Sequence, residues 1–191
     1  MSLALLLCLF VLLPCRNSFA SFRIRQESTS RSGVFVSAPH AVDREMAFFL
    51  TTNRIASLEE YAAWAVKHIS YQNENQDEWV DPVRTLRRKY GDCEDIAFLN
   101  AATAFVLGYE PEIFILLKKG SAHAICLVPT ENAYIWFDNT TFHKTKATSS
   151  AQLVRSIQKK YGYAAARKIN YRDDPWLTHS PSSTVNVAGN K

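Results

Sequence analysis

Gly91-Asp92-Cys93-Glu94-Asp95-Ile96-Ala97, in the middle of a chain of 191 residues, joins a helix stop to a helix start. Gly91 closes one predicted helix, because glycine takes the left-handed conformation that ends a helix at little cost. From Cys93 onward Ile96, Leu99, Ala102, Thr103 and Val106 form an apolar stripe that Gly108 stops, and few charges follow Asp95. A helix that is apolar on most sides belongs in the interior, so this is the predicted central helix, with Cys93 at its N-terminus. There the macrodipole and unpaired N–H groups favour a thiolate and are expected to lower the thiol pKa. The same N–H groups suit an oxyanion. Cys93 is therefore the candidate nucleophile.

Before this stretch the signals are helical. Asp81-Pro82 is an N-cap followed by proline at the first helical position, and Val83, Leu86 and Tyr90 mark the inner face. Ser57 and Glu60 form a capping box that opens a helix with Tyr61, Trp64, Ala65 and Ile69 on one side. A shorter helix is expected over 42–50, preceded by an irregular arm with a short strand at Val34-Phe35-Val36. After Gly108 the period changes. Three runs rich in Ile, Phe, Leu and Val, at 112–117, 122–128 and 133–138, are separated by Lys118-Lys119-Gly120-Ser121 and Pro129-Thr130-Glu131-Asn132, which are turn chemistry. They predict an antiparallel meander. An amphipathic helix is expected over 151–168, and a polar, disordered tail after Asp173. Helices first and strands after give an α+β domain in which the nucleophile helix packs on an antiparallel sheet.

A cysteine nucleophile needs a base, and the base an orienter. His123 lies in the alternating run Ala122 to Val128, with Ile125 next on its face; Asp138 ends the following run on the face of Tyr134 and Trp136. Taken singly each has a plain structural reading: His123 as a satisfied core residue, Asp138 as a turn residue, Cys93 as a small hydrophobe. In this order they make a Cys93-His123-Asp138 set. Strand parity puts Cys126 on the face opposite His123, with Cys93 expected on the His123 face and Cys126 in packing. Trp79 and Asn139 are further helpers to weigh, for the oxyanion and for the imidazole. Asp92 and Glu94 work against a thiolate beside them, and two readings stay open: Asp92 and Asp95 cap the helix, or carboxylates bind Ca²⁺, whose ligands are oxygens.

The heptapeptide, preceded by Trp79-Val80-Asp81-Pro82 and followed by His123 and Asp138, resembles the transglutaminase-like superfamily. It is most similar to the bacterial transglutaminase-like cysteine proteinases, over residues 57–142. The resemblance implies a papain-like fold and a Cys-His-Asp triad of Cys93, His123 and Asp138. It also implies an exported protease acting on peptide or amide bonds of surface proteins through an acyl-enzyme, with no required cofactor but calcium at Asp92 and Glu94 in members that bind it. The superfamily also contains transglutaminases and inactive members, so amine transfer and an inactive envelope scaffold are the alternatives. The scaffold's sharpest form joins Cys93 and Cys126 in a disulfide.

Composition sets the frame. The chain is 47% apolar and 21% charged, with net charge +4, which excludes a disordered or collagen-like protein. Leu3 to Leu13 is an uncharged apolar run ended by Pro14, and Ser18-Phe19-Ala20 offers small residues for cleavage; it reads as a secretory signal peptide, too short to span a bilayer. Its removal takes Cys8 and Cys15, leaving Cys93 and Cys126, and takes one Arg and no acid, leaving +3. The division is thus a signal peptide at 1–20, an arm at 21–56, a hydrolase domain at 57–172 and a tail at 173–191, in a periplasmic or secreted protein with no membrane attachment after cleavage. Arg84, Arg87, Arg88 and Lys89 form the tight basic cluster. They are read as a solvated helix end that complements the dipole, and no nucleic acid is expected as a partner.

Overall fold

The computed structural model describes residues 41–73 and 79–170. The apolar run at 1–20, the arm up to residue 40 with its expected strand at 34–36, and the tail from 173 lie outside the described residues. Among the described residues no helix is long and apolar enough to cross a membrane.

Four helices precede the main sheet: α1 (Ala41–Thr52), α2 (Leu58–His68), α3 (Pro82–Arg88) and α4 (Cys93–Val106). Their starts follow local chemistry. Ser57 caps α2 by accepting from the Glu60 amide, while the Glu60 carboxylate reaches back to the Ala56 amide at 2.7 Å. Asp81 accepts from the Arg84 amide at 3.0 Å ahead of Pro82. Asp92 caps α4 by accepting from the Asp95 amide at 3.5 Å. Ten of the fourteen residues of α4 are buried, so it is the central helix its apolar sequence implies. Met46 and Leu50 of α1 are fully buried in the same cluster.

One helix stop differs from expectation. Helix α3 ends at Lys89, which itself takes the left-handed conformation (φ 61°), and Gly91 lies in β2 (Tyr90–Gly91), paired in parallel with β1 (Ser70–Tyr71). Glycine is required at 91 by space rather than by φ. A Cβ there would stand 2.7 Å from Asp95 Cβ and 3.3 Å from Thr85 Cγ2, and Asp95 is held by an ion pair with Arg88. Gly91→Ala should therefore cost about 1–3 kcal/mol, the usual cost of overpacking, seen as a lower urea midpoint with unchanged slope.

The expected meander is present as β3 (Glu112–Lys118), β4 (Ser121–Pro129) and β5 (Tyr134–Asp138), and two further strands extend it. β6 (Thr141–Lys144) lies beside β5, and β7 (Ala165–Ile169) pairs antiparallel with β3, giving the order β6-β5-β4-β3-β7. The last helix is correspondingly shorter than expected: α5 (Ser150–Tyr161) stops at Gly162, which is left-handed (φ 73°) and whose amide bonds back to Gln158.

Because side chains alternate along a strand, the sheet has two apolar faces. Ile113, Ala124, Cys126, Val128 and Phe137 share a buried cluster with α1, α2 and α4. Leu116, Ile125, Leu127 and Trp136 share another with Leu153, Val154 and Ile157 of α5. The architecture is α+β, with the Cys93 helix packed on one face of an antiparallel sheet and α5 on the other.

Candidate active site

His123 and Asp138 meet. The register pairs Asp138 with Ile125, which places Asp138 diagonally across from His123 on the same face, within reach of side chains. Asp138 is also the last residue of β5, so at His123 the edge of β4 no longer has β5 beside it. His123 Nε2 lies 2.7 Å from Asp138 Oδ1, with the two side chains 21% and 34% exposed. The hydrogen bond from His123 holds the Asp138 carboxyl below its ordinary pKa against the opposing effect of burial; the charges of His123 and His143 add to it. With Nε2–H donated to Asp138, Nδ1 is the nitrogen left to take a proton.

Cys93 opens α4 and packs on the other face of the sheet. Its sulfur is under the influence of the backbone N–H of Ala124, the residue next to His123. The parity expectation is half corrected here. Cys126 is opposite His123, but it is Cys126 and not His123 that shares the α4 face, in the cluster against which Cys93 packs. Cys93 thus packs on the face of the sheet opposite the imidazole, and its link to the His123 segment runs through Ala124. Among the described residues no hydrogen bond joins Cys93 to His123; the thiol donates to Glu94 Oε2 at 3.0 Å.

The expected depression of the thiol pKa is reversed in this arrangement. Burial pushes Cys93 up to about 12, the charge of Glu94 and its hydrogen bond to the thiol push the same way, the Ala124 N–H opposes them, and Asp92 adds a smaller upward push. A helix N-terminus contributes about half a unit of positive charge, and here two carboxylates and desolvation outweigh it. Cys93 and Cys126 are both free thiols; Cys93 is half-buried and Cys126 fully buried.

Two tyrosines that the sequence reading passed over flank the site. Tyr163 stacks on His123 with centroids 6.4 Å apart and planes at 15°. Its phenol is raised by burial first, then by the charges of Asp138 and Cys93. Tyr71, half exposed, is raised by burial and then by Cys93, Asp92 and Glu94. The signal for Tyr163 was Gly162, a helix stop overrun by the helix expected to continue to 168.

The other sequence candidates have structural places. Trp79 packs against the core with its ring 5.4 Å from Phe98. Asn139 is left-handed (φ 50°), and its carbonyl accepts from buried Asn100 Nδ2 at 2.9 Å, while Asn100 accepts from Tyr61 at 2.8 Å. This chain of hydrogen bonds runs from α2 through α4 to the turn that carries Asp138. Asp95 pairs with Arg88 and accepts from the Val80 amide at 3.1 Å. That leaves Asp92 and Glu94 as the carboxylates beside Cys93. Among the described residues no three His, Cys, Asp or Glu side chains are grouped to hold a metal. Calcium takes about six to eight oxygens, of which Asp92 and Glu94 would supply the carboxylates.

No family model matches the chain, and no curated protein matches it. Several solved structures are similar to it. A candidate cysteine protease from Cytophaga hutchinsonii is 15% identical, over 68% of this chain and 49% of that one, with a TM-score of 0.44. LapG from Legionella pneumophila is 22% identical, over 53% of this chain and 64% of that one, with a TM-score of 0.40. Its calcium-bound form is 21% identical over 54% and 65%, also at 0.40. The chain thus spans about half the length of the first protein and just under two thirds of LapG.

Proposed function

We propose that the chain is an exported cysteine hydrolase of the transglutaminase-like type that cuts peptide or amide bonds through an acyl-enzyme. The observation that carries this reading is the His123–Asp138 pair at 2.7 Å, set at the open edge of β4 next to Ala124, whose backbone N–H favours the Cys93 thiolate.

The steps follow from the donors. The Cys93 thiol leaves Glu94 and gives its proton to His123 Nδ1, and the resulting imidazolium is stabilised by Asp138 through Nε2–H. The sulfur attacks the substrate carbonyl while N–H groups at the start of α4 receive the oxyanion. The C–N bond breaks as His123 returns the proton to the leaving nitrogen. Water, deprotonated by His123, then cleaves the thioester and regenerates the thiol. An amine in place of water would give transamidation by the same residues. None of these steps is routed through calcium, for which Asp92 and Glu94 would be the carboxylate ligands beside Cys93. The substrate in this proposal is a protein or peptide at the cell surface, met after cleavage of the apolar segment at residues 1–20.

One observation favours the inactive scaffold instead: a thiol bound to Glu94 and pushed up to about 12 is a poor nucleophile unless the imidazole takes its proton. Alkylation by iodoacetamide from pH 4 to 10, with each cysteine mapped by mass spectrometry, separates the two. The hydrolase is expected to label at Cys93 well below the ~8.5 of an ordinary thiol, with Cys126 protected by burial. Labelling of Cys93 only above that value, or of neither cysteine until a reductant is added, would favour the scaffold.

A further inference from the structure

Beside the His123–Asp138 pair, on the α5 face of the sheet, lies a cavity of about 120 Å³. Its floor is Leu116 and Ile125 from the sheet and Ile157 from α5, each at most 4% exposed. Tyr163 forms a side wall against the imidazole, and Tyr161, 41% exposed, stands at the mouth. The cavity is smaller than the roughly 300–1,000 Å³ of sites that enclose a whole small molecule, so it has room for one side chain.

We propose that this cavity is the subsite for an aliphatic side chain on the leaving-group side of the scissile bond, in the residue that follows the cut. The inference rests on the roles given above to Cys93, His123 and Asp138. In that reading His123 hands its proton to the leaving nitrogen, so the residue attached to that nitrogen lies against the imidazole. Here the imidazole is itself part of the cavity wall. The remaining lining decides the chemistry. A Lys side chain would lose its hydration over Leu116, Ile125 and Ile157, which is costly, and the acidic residue in the lining is Asp138, already bonded to His123. A branched aliphatic chain removes its own apolar surface from water with no polar group to desolvate. The same pocket would take the incoming amine if the acceptor is not water, which makes it the place where hydrolysis and amine transfer are sorted.

The leaving-side product has a simple mimic in leucinamide, which carries the amine and the aliphatic side chain on one small molecule. The experiment titrates leucinamide, glycinamide and lysinamide into the Cys93→Ala protein and follows the ring proton resonances of His123 and Tyr163. Leucinamide should shift both rings and bind at least tenfold more tightly than the other two. Ile157→Trp, which fills the cavity, should abolish that preference. Tyr163→Ala, which opens a half-buried wall and leaves the floor intact, should weaken it at least fivefold if the larger substitution does not fold. Equal binding of the three amides, or a leucinamide preference untouched by both variants, would overturn the subsite. Because binding is read without turnover, leucinamide selectivity alongside an unreactive Cys93 would sink the hydrolase reading and leave the pocket standing.

Discussion

Replacing Arg88 by Met should destabilise the domain by about 3–5 kcal/mol, the range found when one partner of a buried ion pair is removed and the other is left behind. Asp95 has no exposed side-chain surface, and Arg88 has 15%. The guanidinium also donates through Nε to the Tyr90 carbonyl at 2.8 Å and lies over the Tyr90 ring. It thus ties the end of α3 to β2 and to the first turn of α4. Without it the carboxylate keeps the Val80 amide but loses the charge of the guanidinium. Since domains of this size are stable by roughly 5–15 kcal/mol, the loss should lower the melting temperature by on the order of 10 °C. A buried carboxylate that loses its cation is harder to keep charged, so the penalty should shrink as pH falls and the folded state can bind the proton. The neutral double variant Arg88→Met with Asp95→Asn should recover much of the loss. A single-variant cost below about 1 kcal/mol, at neutral pH in urea, would mean that the pair is solvated and that α4 is held by packing alone.

This pair shows where sequence reading stopped. Arg88 stands in a cluster of four basic residues, and a basic cluster at a helix end is ordinarily solvated. Its neighbour Arg87 meets that expectation, with a side chain 70% exposed that pairs with Glu45. Arg88 is turned inward because Asp95, seven residues on, is buried by the chain reversal through β2, and no local pattern encodes that reversal. Features that depend on nearest neighbours were legible: the caps at Ser57, Asp81 and Asp92, the buried character of α4, and the order of strands β3 to β5. That His123 and Asp138 sit on neighbouring antiparallel strands was legible; their diagonal depends on the register set by the turn at 129–132, which pairs Asp138 with Ile125. Parity separates residues 123 and 126, yet it does not say which face receives which helix; Cys93, expected on the His123 face, packs instead in the cluster that holds Cys126. Strand β7 was hidden for a different reason. Ala165-Ala166-Arg167-Lys168 is good helix-forming sequence, and as an edge strand exposed along almost its whole length it has no alternation to reveal it. Reading helix through Gly162 then concealed Tyr163, the one aromatic wall of the site that sits on the imidazole.

The second large effect is chemical. His123→Ala should lower Cys93 labelling at pH 7 at least a hundredfold, and any peptide hydrolysis by about 10²–10⁴-fold, the usual worth of a positioned general base. The reason is specific to this site. Burial, Glu94 and Asp92 push the thiol up to about 12 with only the Ala124 N–H opposing, so at neutral pH the sulfur is almost wholly protonated unless a base is at hand. The variant's labelling rate should therefore climb with pH throughout the accessible range, whereas the wild type should level off once the thiolate–imidazolium pair has formed. Asp138→Asn leaves an oxygen to receive Nε2–H but removes the charge that stabilises the imidazolium, and its loss should be smaller than that of His123→Ala. The Asp138 side of the pair has its own pH signature. Because His123 lowers the folded-state pKa of this carboxyl, the pair stabilises the fold above the ordinary carboxylate value, and that contribution fades as pH falls through the lowered one. His123→Ala should remove this segment of the stability–pH curve while Cys126, fully buried, stays unlabelled in every variant. If His123→Ala leaves both the rate and the pH profile of Cys93 labelling unchanged, the imidazole does not serve the thiol. The 2.7 Å pair would then be a structural tie between β4 and β5.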